Sequence, residues 1–182
     1  MSNIWIISDT HFNHNKDFIY QPRGFANIQE MNEKIISCWN TIVQPNDIVY
    51  HLGDVFFGDT VEGINLVHKL HGKIRLAIGN HDSDARLKEL GLLSNIEDIQ
   101  FGYRLKMGKS TFLLTHYPQL TGNYDNSKTY SIHGHTHLPS HFMEGYDLTF
   151  NVSCEAICCA PLNIESIKPL IIGHREASDK NN

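Results

Sequence analysis

The sequence IWIISDTH occupies residues 4–11 and joins a short apolar run to a polar exit. Residues 3–8 predict a buried β-strand, because short apolar runs bounded by polar residues are typical of strands inside a sheet. Asp9 and His11 follow at once, in a segment that suits a switch from strand to loop. Side chains that can bind a metal ion or act in catalysis are therefore expected where this strand ends.

The same order recurs twice in the first half of the chain. Residues 47–51 predict a second apolar strand, which is followed by Gly53 and Asp54. Residues 73–78 predict a third strand, which runs into the sequence GNHD at 79–82. Each of the three predicted strands thus ends in a polar turn.

Helices are predicted between these strands, because apolar residues recur there at helical spacing. The predicted helices cover residues 28–43, 60–71 and 85–90, with a last helical segment at 161–170. Further strands are predicted at 103–107, 111–115, 130–132 and 148–153, with a surface loop at 117–128. No linker or internal repeat is visible, so the expected fold is α/β, with sheets packed between helices in one domain over residues 1–182.

Polar side chains that can bind metal ions follow most of the predicted strands. They are Asp9, His11, Asp54, Asn80, His81, His116, His135 and His137. Because the carboxyl ends of strands in open α/β sheets face a common crevice, we expect these groups to converge there. A single histidine is more often a hydrogen-bonded structural residue, so the prediction depends on the repeated order of an apolar strand followed by such a polar residue.

The composition limits the partners that the protein can have. Among 182 residues, 15 are Lys or Arg and 20 are Asp or Glu, which gives a net charge of −5. Extended nucleic acids need a dense basic surface, so we do not expect them as main partners. A small anionic substrate is compatible with this charge, because bound cations reverse the local sign of an acidic site. Neither a leader sequence nor a membrane-spanning run is recognisable, so we expect a cytoplasmic protein without a membrane partner, of open oligomeric state.

The series Asp-x-His, Gly-Asp, Gly-Asn-His-Asp and Gly-His-x-His resembles the calcineurin-like metallophosphoesterase superfamily. The segments SDTHFNH at 8–14, WN at 39–40 and YHLGD at 50–54 are most similar to its small single-domain members from bacteria and phages. The resemblance covers residues 4–161. It implies a four-layer α-β-β-α sandwich, in which two mixed sheets are flanked by helices and the metal site lies at the carboxyl ends of the strands.

The resemblance also implies two divalent metal ions that share one aspartate. The ligands of one ion would be Asp9, His11, Asp54 and His137, and those of the other Asp54, Asn80, His116 and His135. Two cations about 3.5–4 Å apart repel each other, so a shared carboxylate between them is chemically reasonable. Oxygen and imidazole ligands suit Mn²⁺, Fe, Zn²⁺, Ni²⁺ or Co²⁺ without choosing among them, and Mn²⁺ is the ion that we expect in assays.

The reaction that the resemblance implies is attack on phosphorus by a hydroxide held between the two ions. His81, beside the ligand Asn80, would protonate the leaving oxygen or contact the phosphate without binding metal. Asp82 would orient His81 or a ligand histidine, although a turn-capping role fits the sequence equally well. His14 and Arg23 would contact the phosphate from the loop after the first strand, with surface exposure as the alternative.

The chain departs from the protein phosphatases of this superfamily. They carry further arginines after Gly-Asp and after Gly-Asn-His, whereas VFFG follows Asp54 and SD follows Asp82 in this sequence. The expected substrate is therefore a small phosphomonoester or phosphodiester, such as a nucleotide or cyclic nucleotide. Two alternatives stay open: a nuclease that acts on nucleic acid ends, and a non-catalytic metal-binding scaffold.

Overall fold

The computed structural model describes residues 2–121, 128–143 and 148–179. Its strands are β1 (Ile4–Ile7), β2 (Ile48–His51), β3 (Lys73–Ala77), β4 (Ile96–Gln100), β5 (Gly102–Met107), β6 (Ser110–Thr115), β7 (Thr129–His133), β8 (Thr149–Asn151) and β9 (Leu162–Asn163). Its helices are α1 (Asp17–Tyr20), α2 (Ile28–Ile42), α3 (Thr60–Val67), α4 (Asp84–Leu90), α5 (Cys154–Ile157) and α6 (Ile164–Asp179). Part of the loop predicted at 117–128 lies outside the described residues.

The strands form two mixed sheets. The first has the order β4-β3-β2-β1-β9, in which β1 to β4 are parallel and β9 is antiparallel to β1. The second has the order β5-β6-β7-β8, in which β5 is antiparallel to β6 and the other pairs are parallel. Buried side chains of both sheets, including Leu76 and Ile132, belong to one hydrophobic core. Helices flank the two sheets, which confirms the predicted four-layer sandwich.

Helix α2 shows how the sequence specifies an element that packs on this core. The side chain of Asn27 caps its first turn by accepting a hydrogen bond from the backbone amide of Glu30 at 2.9 Å. Met31, Ile35 and Trp39 recur at helical spacing, and all three are fully buried. The predicted helix therefore forms with nearly the predicted bounds.

Helix α3 is shorter than the predicted helix at 60–71. It ends at Val67, where the side-chain amide of Asn95 donates hydrogen bonds to the backbone carbonyls of Val67 and Leu70. The following Gly72 has a φ of +89°, a conformation that favours glycine and turns the chain toward β3. A contact from outside the helix thus satisfies carbonyls near its end, which local sequence could not indicate.

Several further elements differ from the prediction, which did not include the short α1, α5 and β9. Strand β4 was absent from it, because Ile96 and Ile99 are three residues apart and do not alternate as a half-buried strand does. The predicted helical segment at 161–170 instead becomes α6, which begins later and continues through Pro169 to Asp179. No described helix combines the length and the apolar character that a membrane-spanning helix requires.

Candidate metal centre

The first half of the predicted metal site is formed by Asp9, His11 and His137. Suitable ligand atoms of these three residues all lie within 4.8 Å of one another. His137 Nε2 is 3.4 Å from Asp9 Oδ1, and His11 Nε2 is 3.7 Å from the same oxygen. The exits of β1 and β7 therefore bring His137 next to Asp9 and His11, although His137 is far from them in the sequence.

Two buried atoms in this half show that it fits a cation. Asp9 Oδ1 and His11 Nε2 have no hydrogen-bond partner among the described residues. Burying such polar atoms without a partner is unfavourable, so native structures normally satisfy them. A divalent ion bound by the carboxylate oxygen and the imidazole nitrogen would satisfy both atoms. This pair of ligands suits transition metals.

The second half is formed by Asn80, His116 and His135. Asn80 Oδ1 is 2.7 Å from His116 Nε2 and 2.9 Å from His135 Nδ1. The other ring nitrogen of His116, Nδ1, donates a hydrogen bond to the carbonyl of Leu52 at 2.8 Å. This bond leaves Nε2 of a neutral ring free to act as a ligand, as in most histidine metal sites.

Asp54 lies between the two halves. Its Oδ2 is 3.6 Å from His11 Nε2 and 3.7 Å from His116 Nε2. Ligand atoms of Asp9, Asp54 and His116 form a second group whose members all lie within 4.8 Å of one another. The structure therefore brings together all seven side chains for which metal binding was predicted, with Asp54 between the two groups.

The two buried aspartates differ in their electrostatic surroundings. Burial opposes ionisation of Asp9, yet the nearby imidazole of His11 and the charges of His137 and His116 hold its pKa well below the ordinary value. Burial raises the pKa of Asp54, and the nearby charge of Asp9 acts in the same direction. Asp9 is thus held as a carboxylate, whereas ionisation of Asp54 is opposed by burial and by Asp9 and is favoured by nearby positive charge.

Strained backbone conformations are concentrated at the predicted ligands. Positive φ angles occur at Asp9 (57°), His11 (50°), Asp54 (57°), His135 (66°) and His137 (51°). A non-glycine residue in this region costs on the order of 1–3 kcal/mol and persists only where surrounding contacts hold it. Such strain is typical of functional sites, so its location supports a functional role for these loops.

Two glycines allow the loops to approach each other. A Cβ atom at Gly79 would overlap Asp54 Oδ1, and a Cβ atom at Gly134 would overlap Ser8 Oγ and Asp9 Oδ2. Replacement of Gly79 would displace Asp54, and replacement of Gly134 would displace Asp9. Glycine at these positions is therefore required by the close packing around the aspartates.

His81 lies at the edge of the centre and is not placed as a ligand. Its Nε2 is 4.0 Å from Asp54 Oδ2, and its side chain is 48% exposed. Its backbone amide donates a hydrogen bond to Asp54 Oδ1 at 2.9 Å, which helps to fix the aspartate. The imidazole can therefore reach a bound substrate from the solvent side.

The predicted role of Asp82 as a partner of an imidazole is corrected by its hydrogen bonds. Asp82 Oδ2 accepts from the amides of Asp54 and Gly79 at 2.8 and 2.9 Å, and Oδ1 accepts from the amide of Val55 at 3.1 Å. The carboxylate thus ties the loop after β2 to the loop after β3. The turn-capping alternative describes this residue, which is a structural support for Asp54.

The predicted phosphate contact of Arg23 is also corrected. Its side chain is only 1% exposed, and its guanidinium donates to the backbone carbonyls of Asp9 and Thr10 and to Glu155. These inward contacts leave no guanidinium group at the surface for a phosphate. His14, in contrast, is partly exposed and stacks on Phe57, with ring centroids 3.8 Å apart.

Glu155 is a contributor that the sequence did not reveal. Its Oε1 accepts a hydrogen bond from His137 Nδ1 at 3.0 Å, next to the contacts from Arg23. This hydrogen bond raises the pKa of His137, although burial alone would lower it. Glu155 follows the exit of β8, so the pattern of polar residues after a strand was present there but lacked any recognisable motif.

Known proteins are similar to this chain over most of its length. The sequence model of the calcineurin-like phosphoesterase superfamily domain matches residues 2–153. The uncharacterized protein MJ1445 of Methanocaldococcus jannaschii is 35% identical over 179 residues, covering 94% of this chain and 92% of that protein. The crystal structure of protein AQ665 from Aquifex aeolicus has a TM-score of 0.69 and 26% identity, covering 93% of this chain and all 100% of that one. YfcE, a phosphoesterase from E. coli, shares the fold at a TM-score of 0.50 and 18% identity, over 83% of this chain and 78% of its own. The chain therefore belongs to the calcineurin-like phosphoesterase superfamily.

Proposed function

We propose that this protein is a dinuclear metal-dependent phosphoesterase that hydrolyses a small phosphomonoester or phosphodiester, with nucleotides and cyclic nucleotides as the first candidates. The position of Asp54 carries this proposal. One carboxylate oxygen lies 3.6 and 3.7 Å from ligand nitrogens of the two halves, His11 and His116. A carboxylate between two groups of nitrogen and oxygen donors is the arrangement that a pair of cations needs.

The donor set supports a transition metal at each position, with Mn²⁺ as the ion proposed for assays and Fe, Zn²⁺, Ni²⁺ or Co²⁺ as alternatives. Asp9, His11, Asp54 and His137 would hold one ion, and Asp54, Asn80, His116 and His135 the other. Bound divalent cations would neutralise the phosphate and make a water molecule nucleophilic near neutral pH.

The side chains around the ligands have separate tasks in this proposal. His81, exposed at the edge of the centre, donates a proton to the leaving oxygen or a hydrogen bond to the phosphate. Asn80 places its side-chain oxygen 2.7 Å from His116 Nε2 and 2.9 Å from His135 Nδ1, so that the three groups could bind one ion together. His14 lies on the other side of His11, with its Nδ1 3.0 Å from His11 Nδ1, and is proposed to contact the substrate.

The substrate class is proposed on chemical grounds. The net charge of −5 disfavours a long nucleic acid, which would be bound chiefly through basic groups. A nuclease that acts on nucleic acid ends and a non-catalytic scaffold are the competing functions. The cytoplasmic location and the organisation of residues 1–182 as one domain stay predictions from the sequence.

Metal binding and hydrolysis test the proposal together. Metal-free protein is titrated with Mn²⁺ by calorimetry and then assayed with p-nitrophenyl phosphate, bis-p-nitrophenyl phosphate, a nucleotide panel and short DNA and RNA ends. We expect about two ions per chain and hydrolysis of at least one small ester. Two bound ions without hydrolysis would favour the scaffold, and preferred cleavage of nucleic acid ends would favour the nuclease.

The variant Asp54→Asn gives the direct test of the shared ligand. We expect turnover to fall by roughly three orders of magnitude or more and both metal affinities to weaken, because the carboxylate between the cations loses its charge. Asp59→Asn is the matched control, since the exposed Asp59 caps helix α3 by accepting a hydrogen bond from the amide of Glu62, and asparagine caps a helix equally well. Full activity of Asp54→Asn would contradict the proposal.

A further inference from the structure

We propose that Arg23 and Glu155 are positioning residues that form a buried ion pair between the loop at 9–11 and His137. The pair would preform one half of the metal centre, that of Asp9, His11 and His137, and affect the other half much less. This inference rests on the proposed function, because it concerns how the same centre acquires one of its two ions.

The carboxylate of Glu155 joins two parts of the chain at a single oxygen. Oε1 accepts hydrogen bonds from Arg23 Nε at 2.8 Å and from His137 Nδ1 at 3.0 Å, and Arg23 Nη2 lies 2.8 Å from it. Glu155 is 132 residues from Arg23 along the chain but only 18 from His137. The contact therefore links the first loop of the protein to the loop after β7.

Arg23 continues this link to the backbone of the first loop. Its Nη2 donates to the carbonyl of Asp9 at 2.8 Å, and its Nη1 donates to the carbonyl of Thr10 at 3.0 Å. Asp9 and His11 both have positive φ angles, so this loop needs contacts that hold it in an unfavourable conformation. A planar guanidinium can bond to two adjacent carbonyls and a carboxylate at once, which a lysine ammonium cannot do in the same geometry.

The hydrogen bond from His137 to Glu155 also fixes which ring nitrogen can bind metal. A carboxylate accepts the proton on Nδ1, so the neutral ring presents an unprotonated Nε2. That nitrogen lies 3.4 Å from Asp9 Oδ1, inside the first half of the centre. His137 is therefore already oriented, in the tautomer that a metal ligand requires.

The influence of the Arg23–Glu155 pair on metal affinity should fall mainly on one half of the centre. Within the described residues, neither Arg23 nor Glu155 makes a hydrogen bond or ion pair with Asn80, His116 or His135. His116 is instead held by the carbonyl of Leu52. A purely structural ion pair would affect both metal affinities or neither, whereas a positioning pair should affect one.

The experiment compares Glu155→Gln with Glu97→Gln. Glu97 forms an ion pair with Arg75 at 2.7 Å on the surface, with its side chain 38% exposed, and so controls for the loss of an arginine partner. Metal-free proteins are titrated with Mn²⁺ by calorimetry. In Glu155→Gln we expect one of two binding steps to weaken by roughly 10–100-fold, the usual effect of removing a group that orients a ligand histidine, while the other step changes by less than about threefold. Glu97→Gln should leave both steps unchanged.

Further variants keep the inference testable if Glu155→Gln fails to fold. Arg23→Lys retains the charge, and we expect it to weaken the same step. The double variant Arg23→Met with Glu155→Leu removes both charges together, which often leaves stability nearly unchanged, and should again weaken that one step. Nitrogen NMR of the His137 ring would then show loss of the single tautomer.

Equal weakening of both binding steps, or no change in either, would overturn the inference while leaving the proposed function intact. Failure of the proposed function would appear differently, in the unaltered protein, as the lack of two Mn²⁺ binding steps. Titration of the wild-type protein therefore tests the proposed function, and comparison of Glu155→Gln with Glu97→Gln tests the inference.

Discussion

The carboxylate of Asp54 has different surroundings at its two oxygens. Oδ1 accepts a hydrogen bond from the backbone of His81, whereas Oδ2 faces the imidazoles of His11 and His116. The backbone amide of Asp54 is bonded in turn to Asp82. Because one side chain is held by two neighbouring loops, its position depends on residues that never face the substrate.

His81 carries a prediction about leaving groups. His81→Ala should retain both metal ions but slow esters with poor leaving groups by roughly 10²–10⁴-fold, the range for loss of a general acid. Esters of p-nitrophenol should be slowed much less, because their leaving oxygen hardly needs a proton. Steady-state kinetics with an alkyl and a p-nitrophenyl ester would measure the difference.

A surface histidine provides the comparison for this variant. His68 is exposed at the end of α3, so His68→Ala should leave both rates unchanged. Equal slowing of the two esters by His81→Ala would exclude the general-acid role. It would instead indicate that the imidazole binds the phosphate in both reactions.

At the scale of elements, the strand exits can meet only because they are closely packed. The loop after β7 reaches the loop after β1, where the amide of His135 donates to Asp9 Oδ2 at 3.0 Å. Gly134 lies directly before this amide and has no room for a side chain. The metal centre therefore depends on a residue that contributes no ligand.

Gly134→Ala should destabilise the protein and weaken metal binding. The added Cβ would overlap Ser8 Oγ and Asp9 Oδ2, so both loops must move apart. We expect a loss of about 1–3 kcal/mol in the free energy of unfolding, the usual cost of overpacking, measured by urea denaturation of metal-free protein. Mn²⁺ affinity should fall in the same variant, measured by calorimetry.

Gly173→Ala is the matched control for this substitution. Gly173 lies in α6, and a Cβ atom there would meet nothing within 4 Å. Alanine is favoured over glycine in a helix by about 0.8–1 kcal/mol, so this variant should be slightly more stable. A loss of stability in Gly173→Ala equal to that in Gly134→Ala would argue against a specific clash.

At the scale of the whole molecule, metal binding and folding should be coupled. The ligands come from loops that are distant in sequence, so an unfolded chain cannot present them together. With free Mn²⁺ at about 100 times the dissociation constant, one site stabilises the folded state by about 2.7 kcal/mol. For a protein of this size that corresponds to a rise in Tm of roughly 5–10 °C.

Calorimetric melting with and without Mn²⁺ measures this coupling. A chelator should return the Tm to its metal-free value. Asp54→Asn should show a much smaller rise, because its affinity for both ions is reduced. A metal-independent Tm in the wild-type protein would contradict a preformed centre built from converging loops.

The sequence predicted the parts of the fold that follow a clear period. The apolar face of α2 and the three parallel strands of the first half were found, whereas β4, with its irregular and partly exposed sequence, was missed. Among the site residues, Asp9 and Asp54 could be selected because each follows an apolar strand directly. The direction of side chains in loops has no such period, which is why Arg23 and Asp82 were assigned contacts that the structure does not show.

The sequence by itself determined the kinds of ligand and the order in which strands deliver them, because strand patterning and the position of polar residues are local properties. Only the tertiary structure decided which groups meet. Glu155 became the partner of His137 and Arg23 through packing across 132 residues of chain, and Arg23 turned inward because buried carbonyls and a carboxylate lie within hydrogen-bond distance there. Hydrogen bonds form over about 3 Å, and contacts at that scale between distant segments are set by how whole elements pack.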